Sequence, residues 1–195
     1  AIAGSNLGII ENCKAVSCNI TSLWESGGIC GANTKKVKNC SVESSIITCT
    51  VSSSTSSRYA LAGGIIGYNE GIIDTCTINA SQIMSRHNAA NNTYVGGIAG
   101  KNEKGMIMNC NGMDYTISAY ATSYSWDYTH AGGVVGANNG TVQYCHMNIK
   151  SISAKNREDE NGYYGGIAGT NTSIISGCSY EGCDRAAGKN TGTIV

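Results

Sequence analysis

The chain has 195 residues, with 13 basic and 13 acidic side chains and no net charge. Binding nucleic acid through charge needs a basic patch or stripe, so that class is excluded, and no apolar run reaches the roughly 18 residues of a membrane-spanning helix, so no membrane insertion is expected. Phe and Pro are absent while Gly numbers 26, an unusual palette for a globular enzyme of this size.

A short phrase opens the chain and then keeps returning. Ile2-Ala3-Gly4-Ser5-Asn6 is followed by the fuller Gly27-Gly28-Ile29-Cys30-Gly31-Ala32-Asn33. Next come Gly63-Gly64-Ile65-Ile66-Gly67-Tyr68-Asn69 and Gly96-Gly97-Ile98-Ala99-Gly100-Lys101-Asn102. Gly132-Gly133-Val134-Val135-Gly136-Ala137-Asn138 and Gly165-Gly166-Ile167-Ala168-Gly169-Thr170-Asn171 complete the series, with a partial copy at Ala187-Gly188-Lys189-Asn190. The third glycine falls at 4, 31, 67, 100, 136, 169 and 188, so the spacings are 27, 36, 33, 36, 33 and 19.

Each copy continues alike. An aliphatic residue (Ile10, Val37, Ile73, Ile107, Val142, Ile175) precedes by three a cysteine at Cys13, Cys40, Cys76, Cys110, Cys145 and Cys178. A second strand-like run follows, such as Thr77–Met84, then a polar stretch, and often an aromatic (Tyr59, Tyr94, Tyr128, Tyr163) that leads back to Gly-Gly. Short β-branched runs bounded by Gly, Asn and Ser read as strands. Fixed-period self-similarity without a helical period reads as a solenoid, because one unit cannot bury its inner face alone. The expected fold is all-β: a right-handed parallel β-solenoid of about six coils, each with three short strands, over residues 1–195 as one domain. The missing Pro fits, since Pro would remove a ladder donor from an internal strand. The Gly-Gly corner is expected to exploit glycine's access to positive φ.

The string aromatic-x-Gly-Gly-Ile-x-Gly-x-Asn-x-Gly-x-Ile-x-x-Cys resembles the GLUG repeat. The resemblance implies a β-helical segment of a large bacterial surface or secreted protein, of the kind found in adhesin-like proteins and in the non-catalytic part of immunoglobulin A1-specific zinc proteases. Extracellular placement follows from it as an expectation.

Two columns of residues recur in one phase of the repeat. The six column cysteines are expected to be buried free thiols behaving as small hydrophobes, which leaves disulfides open only for Cys18, Cys30, Cys49 and Cys183. Cys76→Ser is therefore expected to bury a hydroxyl without a ready partner. The asparagines Asn6, Asn33, Asn69, Asn102, Asn138 and Asn171 are expected to stack as an amide ladder rather than to bind ligand.

Chemistry finds no foothold. His87, His130 and His146 fall in different phases, and neither H-E-x-x-H nor G-x-S-x-G occurs. No catalytic residue, metal or cofactor is expected. The polar insertions Ser52–Arg58, Ser85–Thr93, Tyr120–Asp127 and Lys155–Gly162 share one phase and must emerge from one corner of the stack. Insertions of that kind line one face, often the binding face. Tyr124, Trp126, Tyr128 and Arg157 are the candidate contacts, with host protein or glycan as partner. The expectation is a non-catalytic structural or adhesive segment. The alternative is a non-catalytic β-helix region of a secreted protease or polysaccharide-processing enzyme, or a self-assembling extracellular filament unit. The chain enters and leaves within a repeat, so it is expected to be an interior piece of a longer array or a unit that stacks head-to-tail through open coil ends.

Overall fold

Alternation inside runs of three or four residues is enough to send one side chain inward per run, and each run becomes one face of a coil. In the computed structural model, which describes residues 1–52, 59–88, 91–122, 129–157 and 162–195, all regular structure among the described residues is β-strand. Successive coils pair in parallel, in register: Asn33 lies beside Asn69, Val37 beside Ile73 and Ile47 beside Ile83. The chain is a parallel β-solenoid.

One coil contains five strands, not three. The second coil, for example, runs through Cys30–Asn33, Lys36–Lys38, Ser41–Glu43, Ile46–Val51 and Ala60–Gly63. We number the resulting ladders one to five in that order. Ladders one and two each stack seven strands, and ladder five stacks five, from Glu25–Gly27 to Tyr163–Gly165. Five coils are complete, so the expected six is close; the stack ends with partial coils at Ala168–Glu181 and Ala187–Ile194. The spacing of 27 arises because Asn19–Ser22 passes to Glu25–Gly27 through two residues, without an insertion. The spacing of 19 has a different cause: after Ser179–Glu181 the chain omits ladders four and five altogether and returns directly to Ala187–Asn190.

The extra corners come from single residues in the left-handed region. Asn39, Thr75, Asn109 and Tyr144 have φ of 50° to 54° between ladders two and three; Ser44, Ala80 and Asp114 have 46° to 53° between ladders three and four. One such residue turns the strand direction sharply without breaking the ladder. The Thr75 N–H still donates to Met108 O (3.1 Å) and the Asn109 N–H to Gln143 O (3.1 Å) in the next coil. Periodicity cannot reveal a bend that uses one residue.

The repeated glycines, by contrast, are not left-handed: among the described residues positive φ occurs in glycine only at Gly177 and Gly182. They serve close approach instead. A Cβ on Gly136 would stand 2.6 Å from both Gly100 O and Val95 N, and one on Gly169 would stand 2.7 Å from Ala131 N. The backbone of ladder five therefore packs directly on the third-glycine row of ladder one. The main core is a cluster of aliphatic columns, including Val37, Ile73, Ile107 and Val142 of ladder two and Ile47, Ile83 and Ile117 of ladder four, with a small second cluster of Leu61, Tyr94 and Ala137. Each such column side chain is almost fully buried, which contributes about 1.5–3 kcal/mol apiece.

Candidate functional site

The asparagine column forms an unbroken chain of amides along ladder one. Each Nδ2 donates to the Oδ1 of the next coil at 2.8–2.9 Å, from Asn6 through Asn33, Asn69, Asn102, Asn138 and Asn171 to Asn190. The same amides hold the following turn: Asn102 Nδ2 also donates to Gly105 O (3.0 Å), and Gly140 N donates to Asn138 Oδ1 (3.2 Å). Every polar atom of these buried side chains is thus engaged in the backbone frame, which leaves nothing for a ligand.

The cysteine column occupies the corner between ladders two and three, and it does more than fill space. Just past the corner, the amide of the residue after the turning one needs an acceptor other than a ladder carbonyl. There the Cys145 N–H donates to Cys178 Sγ (3.4 Å) and the Cys13 N–H to Cys40 Sγ (3.5 Å), one coil on. Each thiol in turn donates to the carbonyl two residues before it, as Cys40 does to Lys38 O (3.2 Å) and Cys110 to Met108 O (3.2 Å). The next corner repeats the device with serine: Ser45 N–H donates to Ser81 Oγ (3.1 Å), and Ser81 Oγ donates to Asn79 O (2.8 Å). Cys18 stands in that serine column, its N–H donating to Ser45 Oγ (3.1 Å). The expectation that Cys76→Ser lacks a partner is therefore corrected, because serine meets the same two demands one corner later. All ten cysteines are thiols in this structure. Burial pushes Cys30 up to about 12 and Cys49 up to about 11, and it also raises Cys110. The spacing pattern could have revealed the serine column, since Ser45 and Ser81 each follow the column cysteine by five residues, as Cys18 follows Cys13 and Cys183 follows Cys178.

The insertions leave the stack at one step, between ladders four and five. They link Val51 to Ala60, His87 to Thr93, Ala121 to Thr129 and Lys155 to Tyr163. Tyr124, Trp126 and Tyr128 lie outside the described residues; Arg157 is exposed at the start of the fourth insertion. Both banks of this edge are aromatic and cationic. On the ladder-four side Arg86 sits over the Tyr120 ring, 5.2 Å from its centroid. On the ladder-five side an aromatic stack climbs four coils: Tyr59 meets Tyr94 edge-on at 5.5 Å, Tyr94 stacks on His130 at 4.5 Å, and His130 leans on Tyr163 at 5.5 Å. Lys101 lies 5.5 Å from the Tyr59 ring and Lys189 lies 5.1 Å from that of Tyr163. Such contacts contribute about 0.5–1 kcal/mol each where exposed and hold the rings in place. Burial drives the Tyr94 hydroxyl up to about 12. Among the described residues no three His, Cys, Asp or Glu side chains gather into a group fit for a metal ion.

The corner unit itself decides the relationship. Residues 91–111, running from the second insertion through Gly96-Gly97 and Asn102 to Cys110, match the family model described as the GLUG motif. The chain carries a GLUG motif. The next coil stands in register with this unit, with Gly96 beside Gly132 and Asn102 beside Asn138. The fold is similar to the crystal structure of a "putative immunoglobulin A1 protease" from Bacteroides ovatus, with a TM-score of 0.58 and 20% identity. That likeness covers 89% of this chain and 50% of the other, so the chain spans about half the length of that protein. No curated protein matches the chain. The GLUG match and the shared fold together place the chain among β-helical repeat segments.

Proposed function

We propose that this chain is a non-catalytic segment of a secreted or cell-surface protein that displays its insertions along one edge for contact with host protein or glycan. The observation that carries this reading is the shared exit step: four insertions of unlike composition leave between ladders four and five, beside a held row of Tyr59, Tyr94, His130 and Tyr163. A rigid scaffold with variable loops at one edge suits recognition. The reading as a non-catalytic region of a secreted protease is favoured by one finding, the fold likeness to half of a protein named for immunoglobulin A1 cleavage.

The test is surface plasmon resonance against immunoglobulin A1 together with a mammalian glycan array, using the chain and its Tyr124→Ala, Trp126→Ala, Tyr128→Ala triple variant. The expected result is a bound protein or glycan whose affinity falls at least about tenfold in the triple variant while the melting temperature holds. A matching loss of stability would make these aromatics structural and overturn the reading. Peptide-bond cleavage by the isolated chain would overturn its non-catalytic part.

A further inference from the structure

The outer face of ladder three carries a second feature, separated from the insertion step by ladder four. A shallow groove of about 540 Å³ runs across five coils from Glu43 to Glu181. At one inter-strand spacing of about 4.8 Å per coil, its length is about 19 Å. We propose that this groove is a binding site for a short neutral oligosaccharide.

The first argument is the chemistry of the lining. Its exposed side chains are amides, hydroxyls, an imidazole and carboxylates: Asn79, Asn111, His146, Asn148, Ser179 and Glu181 among them. Amides and carboxylates present two polar atoms in one plane, the pattern that meets adjacent hydroxyls of a sugar ring. The open apolar surface among them is Met113, 62% exposed, with Tyr180 half-buried at one end; Ile78 and Met147 are core side chains beneath the backbone. Such surfaces suit the C–H face of a sugar. Among the described residues no Lys or Arg lines the groove, and of its two carboxylates only Glu43 has a cation beside it, Lys14, so an anionic ligand would meet Glu181 unfavourably.

The second argument is pre-organisation. His146 Nδ1 and Ser179 Oγ are 2.6 Å apart, and Asn148 Nδ2 donates to Glu181 Oε2 (3.1 Å). Lys14 holds Glu43 at 2.9 Å. Side chains already fixed lose little freedom when a ligand arrives.

The third argument is Tyr144, at the corner two residues before His146. That position requires the left-handed backbone, and other coils fill it with Asn12, Asn39 and Asn109. A tyrosine is a poor occupant there. Its ring packs on Gly177 of the next coil, where a Cβ would stand 2.6 Å from Tyr144 Cδ1, yet the residue remains 58% exposed. The result is a ring held from beneath and open to solvent at the corner that leads into ladder three, outside the groove's own lining and two residues before His146. An extended peptide fits less well, because Thr77–Asn79 is already paired on both sides, with Ser41–Glu43 and Asn111–Met113, and offers no free edge.

This site does not rest on the reading of the insertion edge. The experiment is titration of the isotope-labelled chain with maltotetraose, cellotetraose and chitotetraose, with tetragalacturonate as the anionic probe and an extended tetrapeptide as the peptide probe. Amide shifts are followed by two-dimensional NMR. At least one neutral sugar should shift Asn111, His146 and Asn148. Tyr144→Asn, which installs the residue of three other coils, and Asn148→Ala should each weaken that binding by about tenfold or more at unchanged melting temperature. Trp126→Ala should leave it unaltered. Binding of only the anionic sugar or the peptide, shifts confined to the insertion edge, equal affinity in both groove variants, or no neutral sugar bound at millimolar concentration would each overturn the proposal.

Discussion

The ring of Tyr115 occupies the space that Gly112 leaves open. A Cβ on Gly112 would lie 2.5 Å from Tyr115 Cε1, and the buried Tyr115 hydroxyl donates to Gly133 O (2.9 Å). In the preceding coil the aligned positions hold Ile78 and Ser81. A large side chain has moved from the strand to the corner, and the total volume of the layer is kept.

This exchange is testable as a double-mutant cycle in urea. Tyr115→Ser should cost about 3–5 kcal/mol as a cavity, and Gly112→Ile about 1–3 kcal/mol or more by overpacking. The double variant restores the pattern of Ile78 and Ser81 and should recover most of the loss. Additive losses would show that the two positions are independent.

The amide chain makes position along the stack decisive. Asn102→Ala removes the acceptor of Asn69 Nδ2 and the donor to Asn138 Oδ1, and should cost about 1–3 kcal/mol. Asn190→Ala, at an exposed amide that ends the series, should stay within about 0.5 kcal/mol. Equal costs by chemical denaturation would contradict a ladder-borne contribution.

At the first corner, serine should replace cysteine with little loss. The Cys76 thiol donates to Asp74 O (3.4 Å) and stands one coil on from the Cys40 amide, where the thiols of Cys40 and Cys178 accept from the amides of Cys13 and Cys145. Cys76→Ser can satisfy both groups and should cost less than about 1 kcal/mol, whereas Cys76→Val satisfies neither and should cost about 1–3 kcal/mol. Thermal melts of the two variants decide it: a serine as harmful as valine would mean that the thiol acts through volume alone.

Alkaline pH should unfold the chain earlier than its neutral charge balance suggests. Burial raises Cys49 from 9.0 to about 11 and Cys30 from 9.0 to about 12. Below pH 9 these thiols are protonated in both states and their contribution is complete. Above it the unfolded chain ionises first, so stability falls by about 1.4 kcal/mol per pH unit per thiol until the folded value is reached. The melting temperature should be flat to about pH 8.5 and decline between pH 9 and 11. A Cys49→Ala variant should show a shallower decline. Identical pH profiles would remove Cys49 from the explanation.

The repeat phrase alone determined the parallel solenoid, because seven copies of Gly-x-Asn, the inner ones 33–36 residues apart, leave one economical way to bury the aliphatic positions between them. It also marked the insertions, since Ser52–Arg58 and its counterparts interrupt the period in one phase. Other features were invisible along the chain because they depend on neighbours one coil away. Thr75 and Tyr144 look like ordinary strand residues, and only the stacked geometry shows that each turns a corner at φ 53°. Ser45 and Ser81 share a spacing with Cys18, but their role appears only when the amides of Cys18 and Ser45 are seen to need an acceptor there. Nothing in the sequence marks Tyr115 as buried until the gap at Gly112 is known. The groove of ladder three brings together Glu43, Asn111, His146 and Glu181, which are separated by whole repeats in the chain. A solenoid places residues one period apart at about 4.8 Å from each other, so its surface is composed across repeats and its chemistry is legible only once the register is set.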